Sequence, residues 1–215
     1  MTIADQFLII KDFGSGQPLV VVFESQNQNQ VLSYFHELSL EDCKVLLVSC
    51  SKISDIGCDD LTEGLLKFLD LNSIKQATLL GVAEAGAVVQ NFTIAYQRRV
   101  RRLILLDSPT RPYRSKFEKL LEKIEKVLPL GLPFRAVSAA FDSRSFLQRI
   151  RCPALIITTP LASGYIINQS KILINSMATA WGAKLELGEE RKQMLDLLTS
   201  FFEIPAKRPQ KIRGS

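Results

Sequence analysis

The chain has 215 residues, 47% of them hydrophobic and 23% charged, with a formal net charge of +5. That length suits one well-buried domain and is short for two, and the composition carries no signature of disorder. No apolar run approaches the ~18 residues that a membrane span needs. Met1-Thr-Ile-Ala-Asp-Gln6 lacks the basic start of a secretory signal and Phe7-Leu-Ile-Ile10 is too short for its apolar core, so a cytoplasmic address is expected.

Lys207, Arg208, Lys211 and Arg213 lie in an acid-free tail, residues 205–215, and account for most of the net charge. As a flexible end the tail needs no function; as a binding element it fits an acidic protein surface, RNA or an anionic membrane alike. It has no aromatic residue on which a base could stack. Cys43, Cys50, Cys58 and Cys152 show neither C-x-x-C pairing nor metal-ligand spacing, and read as free thiols.

Taken in order, Phe7–Phe13 reads as a strand ending at Gly14-Ser15-Gly16, and Pro18–Phe23 as a continuously apolar strand covered on both faces. The polar patch Gln26–Gln30 precedes a predicted helix, Val31–Leu38, which carries the chain's single histidine, His36, read as structural or exposed. Lys44–Ser49 is the next buried strand. Leu61, Leu65, Phe68 and Leu69 keep helical spacing, with Asn72 at the place of a left-handed cap residue.

Ala77–Leu80 is a short apolar strand that meets Gly81 and opens into a small-residue helix running to about Arg98. Val100–Pro109 is another strand, preceded by the basic pair Arg98-Arg99 and containing Arg101-Arg102, a cluster read as a solvated loop. Ser115-Lys-Phe-Glu118 is a capping box before a helix with Phe117, Leu120, Leu121, Ile124, Val127 and Leu128 on one stripe. A second helix is expected near Phe134–Phe141. Ala154–Thr158 is a strand, Ile174, Met177, Ala178 and Trp181 a helical stripe, Lys184–Leu187 a last strand, and Met194, Leu197, Leu198 and Phe201 a closing helix. The alternation predicts an α/β fold, a mostly parallel sheet with helices on both faces.

Gly81-Val82-Ala83-Glu84-Ala85, between apolar strand and small-residue helix, resembles the G-x-S-x-G nucleophile elbow of the α/β-hydrolase superfamily. Val100–Pro109 and Arg149-Ile-Arg-Cys-Pro153 with the strand after it are similar to later segments of the same family. The resemblance spans about residues 7–203. It implies a hydrolase-like domain over 1–204 with a small helical lid at about 110–150.

The chemistry of the family is not carried over. The nucleophile position holds Ala83, the aligned acid position is about Ala162 within Thr159-Pro-Leu-Ala-Ser163, and Gly188-Glu-Glu-Arg-Lys192, the place of the base, has no histidine. Phe23-Glu24-Ser25 stands where the family opens its oxyanion loop with His-Gly, and Ser49-Cys-Ser-Lys52 where it has an Asp and an R-G-x-G turn. An acyl-transfer site needs nucleophile, base and orienting group together.

The resemblance therefore implies a degenerate, catalytically inactive member acting as a binding or scaffold protein for protein partners. A speculative pocket is drawn from Phe23, Glu24, Glu84 and Ala85, with no cofactor and no metal expected. Two alternatives stand beside it. One is a rearranged enzyme, a lyase or carboxylate-based hydrolase on a small hydrophobic substrate, using Glu24 and Glu84 at the ligand-binding edge of the sheet. The other is a sensor whose vestigial pocket holds a small molecule. Against both, Glu24 and Glu84 read as solvent-facing acids, or Glu84 as one that complements the positive end of the elbow helix.

Overall fold

In the computed structural model of the chain, residues 6–35, 40–111 and 142–205 are described. Seven strands form one sheet in the order β1-β3-β2-β4-β5-β6-β7: β1 Phe7–Gly14, β2 Gln17–Glu24, β3 Cys43–Cys50, β4 Ala77–Val82, β5 Val100–Leu106, β6 Ala154–Thr158 and β7 Ala180–Lys184. Only β1 runs antiparallel, against β3; the other neighbours are parallel. Between them come α1 Gln28–Phe35, α2 Ile53–Ile56, α3 Cys58–Leu71, α4 Ala85–Ala95, α5 Gly164–Ser176 and α6 Glu190–Glu203.

The central strands bury apolar side chains on both faces because the sheet is covered twice. Val20, Val22, Leu79, Leu103, Leu105, Ala154 and Ile156 face one core with residues of α3, α4 and α5. Their sequence neighbours Leu19, Val21, Leu80, Ile104, Leu155 and Ile157 face a second core with α1 and α6. The period-two alternation is thus present but apolar on both faces, as the continuous runs in the sequence require.

Several boundaries differ from the expectations. α1 begins at Gln28 because the glutamine-rich patch forms its first turn after a 3₁₀ turn at Ser25–Asn27; residues 36–39, His36 among them, lie outside the described residues. Asn72 is not left-handed (φ −89°); Ser73 is, at φ 56°. Ile74 N–H donates to Leu69 O at 2.8 Å and Ser73 N–H to Asp70 O at 3.0 Å, a Schellman closure shifted one residue onward. Asn72 instead caps Phe68 O with its side-chain amide. α4 stops at Ala95, and Gln97–Arg99 form a 3₁₀ turn.

The helical stripe through Trp181 is also corrected. α5 ends at Ser176, Met177 is extended, and Trp181 lies in edge strand β7, which begins four residues before the strand predicted at Lys184–Leu187. β7 pairs with β6 alone and is half-exposed, so it has no buried alternation to announce it.

The capping box and both predicted lid helices fall within 112–141, and the basic tail beyond Pro205, outside the described residues. The ends of the insertion are themselves fixed. Ser143 N–H donates to Thr110 O at 3.0 Å, so the chain departs after β5 and returns at one point. Buried Gln90 of α4 donates to Pro109 O at 2.9 Å and accepts from Ser143 Oγ at 2.7 Å, fastening both ends to the helix behind the elbow.

Candidate functional site

The strand order reverses between β2 and β4, since the chain passes outward to β3 before returning. In open parallel sheets the crevice at the carboxyl ends beside that reversal is where ligands bind. β2 delivers Glu24 to this edge and β4 delivers Ala83 and Glu84.

The turn after β4 keeps a strained form. Ala83 has φ 50°, in the left-handed region that favours glycine. It is held there on both sides: its N–H donates to Leu106 O at 2.8 Å, and its carbonyl accepts Gly86 N–H at 3.1 Å. The crossing of strand and helix is possible only with glycines. A Cβ on Gly81 would stand 2.6 Å from Gly86 Cα, and one on Gly86 would stand 2.0 Å from Ser108 Oγ. Ser108, fully buried, sits beneath the turn and shares its hydroxyl proton between Gly81 O (3.0 Å) and Leu106 O (3.1 Å). The turn is therefore pinned by the segment that follows β5.

Of the pocket residues drawn from the sequence, Phe23 and Ala85 are fully buried and belong to opposite cores. Glu84 is exposed and makes no side-chain cap to α4. Glu24 is only 5% exposed and accepts Ile53 N–H at 3.0 Å and the Gln26 amide at 2.9 Å, which ties the end of β2 to α2. Burial raises its carboxyl above the ordinary value; the Ile53 donation opposes this and the nearby Glu84 charge adds to it. Ala162 lies in the turn after β6, its N–H donating to Thr159 O at 3.2 Å, and offers no acid.

One acid at this edge was not singled out by the sequence. Asp107 follows β5 with φ 48° and accepts Thr159 N–H at 2.9 Å and the Thr159 hydroxyl at 2.6 Å. Burial raises its carboxyl against both hydrogen bonds. Its place directly after a buried strand, in Leu106-Asp107-Ser108-Pro109, was the available signal. Tyr34 of α1 stands within electrostatic reach of Asp107 and Glu190; burial raises its phenol and both acids add to it. The thiols of Cys50 and Cys58 are free and pushed up to about 12 by burial, which leaves them protonated and unreactive. Among the described residues no three His, Cys, Asp or Glu side chains gather as a cation cage.

This architecture decides the comparison. The fold is that of the α/β hydrolases. The enol-lactonase of Burkholderia xenovorans LB400 superposes with a TM-score of 0.67 at 17% identity, covering 92% of this chain and 96% of its own. The esterase of Exiguobacterium antarcticum gives 0.67 at 15%, covering 92% and 95%. A meta-cleavage product hydrolase of Pseudomonas fluorescens IP01, in a serine-to-alanine form complexed with acetates, gives 0.65 at 15%, covering 90% and 93%. No protein-family profile and no curated protein matches the sequence. Among the described residues no helix is long and apolar enough to cross a membrane.

At this edge of the sheet stand Ala83 in its left-handed turn and two carboxylates, Glu24 and Asp107, that are bound to the protein itself. Glu24 spends its oxygens on the Ile53 N–H and the Gln26 amide, and Asp107 on the Thr159 N–H and hydroxyl, so their first role is to fix loops.

Proposed function

We propose that this protein is a catalytically silent α/β-hydrolase-fold protein that works by binding, with protein partners engaged through its insertion, its vestigial edge pocket or its tail. The observation that carries the reading is Ala83. Its left-handed turn, tight glycine crossing and Ser108 pin are kept, while the reactive atom is missing. The sequence adds that the segment 188–192, where a base would follow the last strand, contains no histidine. Acyl transfer requires those groups within hydrogen-bond reach of each other.

The rearranged-enzyme reading draws on two facts: the structural neighbours carry enzyme names, and Glu24 and Asp107 hold their protons more tightly than ordinary acids. The sensor reading draws on the acetates held by the serine-to-alanine neighbour. A panel of chromogenic esters and lactones separates these readings. The proposal expects no saturable turnover by the wild-type protein; turnover lost in Glu24→Gln or Asp107→Asn would replace it with the enzyme reading. A rise in melting temperature with a small carboxylate or acyl compound, without turnover, would select the sensor.

A further inference from the structure

The arginines at the opposite, amino-terminal edge of the sheet divide into two sets. Arg99 and Arg102 are structural. Arg99 pairs with Asp70 at 2.7 Å and donates to Lys75 O and Ile74 O, each at 2.8 Å. Arg102, 7% exposed, donates to Phe202 O at 2.9 Å and to Ile204 O, and its guanidinium lies 5.6 Å from the Phe202 ring. The solvated-loop reading of this cluster is thus corrected for two of its four members.

The second set has no carboxylate partner among the described residues. Arg98 and Lys75 are exposed, Arg101 bonds the neutral Gln17 amide, and Arg151 is exposed just before the neighbouring strand β6. Of the acids at this edge, Asp70 pairs with Arg99 and Asp12 with Lys44 at 3.5 Å. Asp42, whose carbonyl accepts Gln17 N–H at 2.8 Å, and exposed Glu203, between the two residues whose carbonyls Arg102 holds, form no ion pair with these four side chains among the described residues. Buried Arg102 keeps an Nε without a hydrogen-bond partner. Burial and the adjacent Arg101 charge lower its guanidinium, whereas Arg144, bonded to Asp142, is raised. The described chain also ends at this edge, since Arg102 holds Ile204 O.

We infer that Lys75, Arg98, Arg101 and Arg151 form a docking surface for an acidic segment of a partner protein. Guanidinium forks fit carboxylates in pairs, and Leu71, 75% exposed at the end of α3 beside this set, supplies an apolar contact. RNA is a poorer fit. Single-stranded bases need aromatic platforms, and the aromatics here are taken: Tyr96 packs on Phe92 at 5.0 Å and Phe202 lies under Arg102. The surface is independent of whether the carboxyl edge turns over a substrate.

The test is fluorescence anisotropy with three probes at matched ionic strength: a glutamate peptide carrying one central phenylalanine, oligouridine of equal charge, and phosphatidylserine vesicles. The peptide should bind most tightly. Lys75→Glu/Arg98→Glu/Arg101→Glu should weaken it about tenfold or more, and Leu71→Ser about threefold, each single side chain carrying a modest share. Replacing Lys207, Arg208, Lys211 and Arg213 by glutamine should leave most of the affinity. An unchanged melting temperature confirms that the variants fold, and the neutralising pair Lys75→Gln/Arg98→Gln should give an intermediate loss. No peptide binding, stronger binding of oligouridine or vesicles, or affinity lost with the tail and kept in the charge reversals would each overturn the inference.

Discussion

At the scale of single residues, the elbow depends on two glycines and a serine. Gly86→Ala drives a methyl against Ser108, whose Cβ stands 2.4 Å from the new carbon and whose hydroxyl is committed to two carbonyls. Overpacking of this kind costs about 1–3 kcal/mol, read as a lower urea midpoint. Because the clash involves both Ser108 side-chain heavy atoms, Ser108→Gly should recover more of the loss in the double variant than Ser108→Ala, which keeps the Cβ. Equal recovery by both would show that the hydroxyl alone matters.

Glu24 gives a pH dependence of definite sign. Its carboxyl is raised in the folded protein above the ordinary 4.5, first by burial. The folded state therefore holds the proton through a window in which the unfolded chain has lost it. Over that window the Glu24 contribution to stability falls as pH rises. Glu24→Gln cannot ionise and its amide oxygen still accepts from Ile53 N–H. Its urea midpoint relative to wild type should climb from pH 4.5 to neutrality; a difference that stays flat or shrinks would contradict the burial argument.

At the scale of elements, α6 is secured to the sheet by Arg102 as well as by Met194, Leu198 and Phe201. Lysine lacks the planar fork that reaches two carbonyls, so Arg102→Lys should cost about 2 kcal/mol. The loss should appear as faster amide exchange in the last turn of α6, ahead of global unfolding; uniform acceleration across the molecule would argue against a local anchor.

The elements also mark how far the sequence could be read. Strands with continuous apolar runs, β2 to β6, announce themselves because both faces are buried, and Ala154–Thr158 is found at its predicted bounds. β7 does not: an edge strand of Ala180-Trp-Gly-Ala-Lys184 has nothing to alternate, and Gly182 is small because Ile174 Cδ1 would stand 2.4 Å from a Cβ there. The left-handed step at Ser73 in place of Asn72 is a hydrogen-bond outcome that spacing cannot settle. At the site, the tight turn after β4 was legible in Gly81 and Gly86. The burial of Phe23 and Ala85, the anchoring of Glu24 on Ile53, and the engagement of Asp107 with Thr159, 52 residues away, required the fold.

At the scale of the whole molecule, the sheet separates two kinds of charge. Glu24, Glu84 and Asp107 stand at its carboxyl edge, and Arg98, Arg99, Arg101 and Arg102 at its amino edge. Acyl transfer requires a nucleophile, a base and an orienting group together, so the turn alone does not supply it. The most direct measurement is therefore ester and lactone hydrolysis by the wild-type protein and by Ala83→Ser, with a serine-directed phosphonate probe alongside. Ala83→Ser restores the hydroxyl on a turn that already has the required φ, but supplies no base to take its proton. Neither protein should hydrolyse the panel above the buffer rate or label with the probe, and Ala83→Ser should fold as well as wild type. Saturable hydrolysis by the wild-type protein would contradict the account.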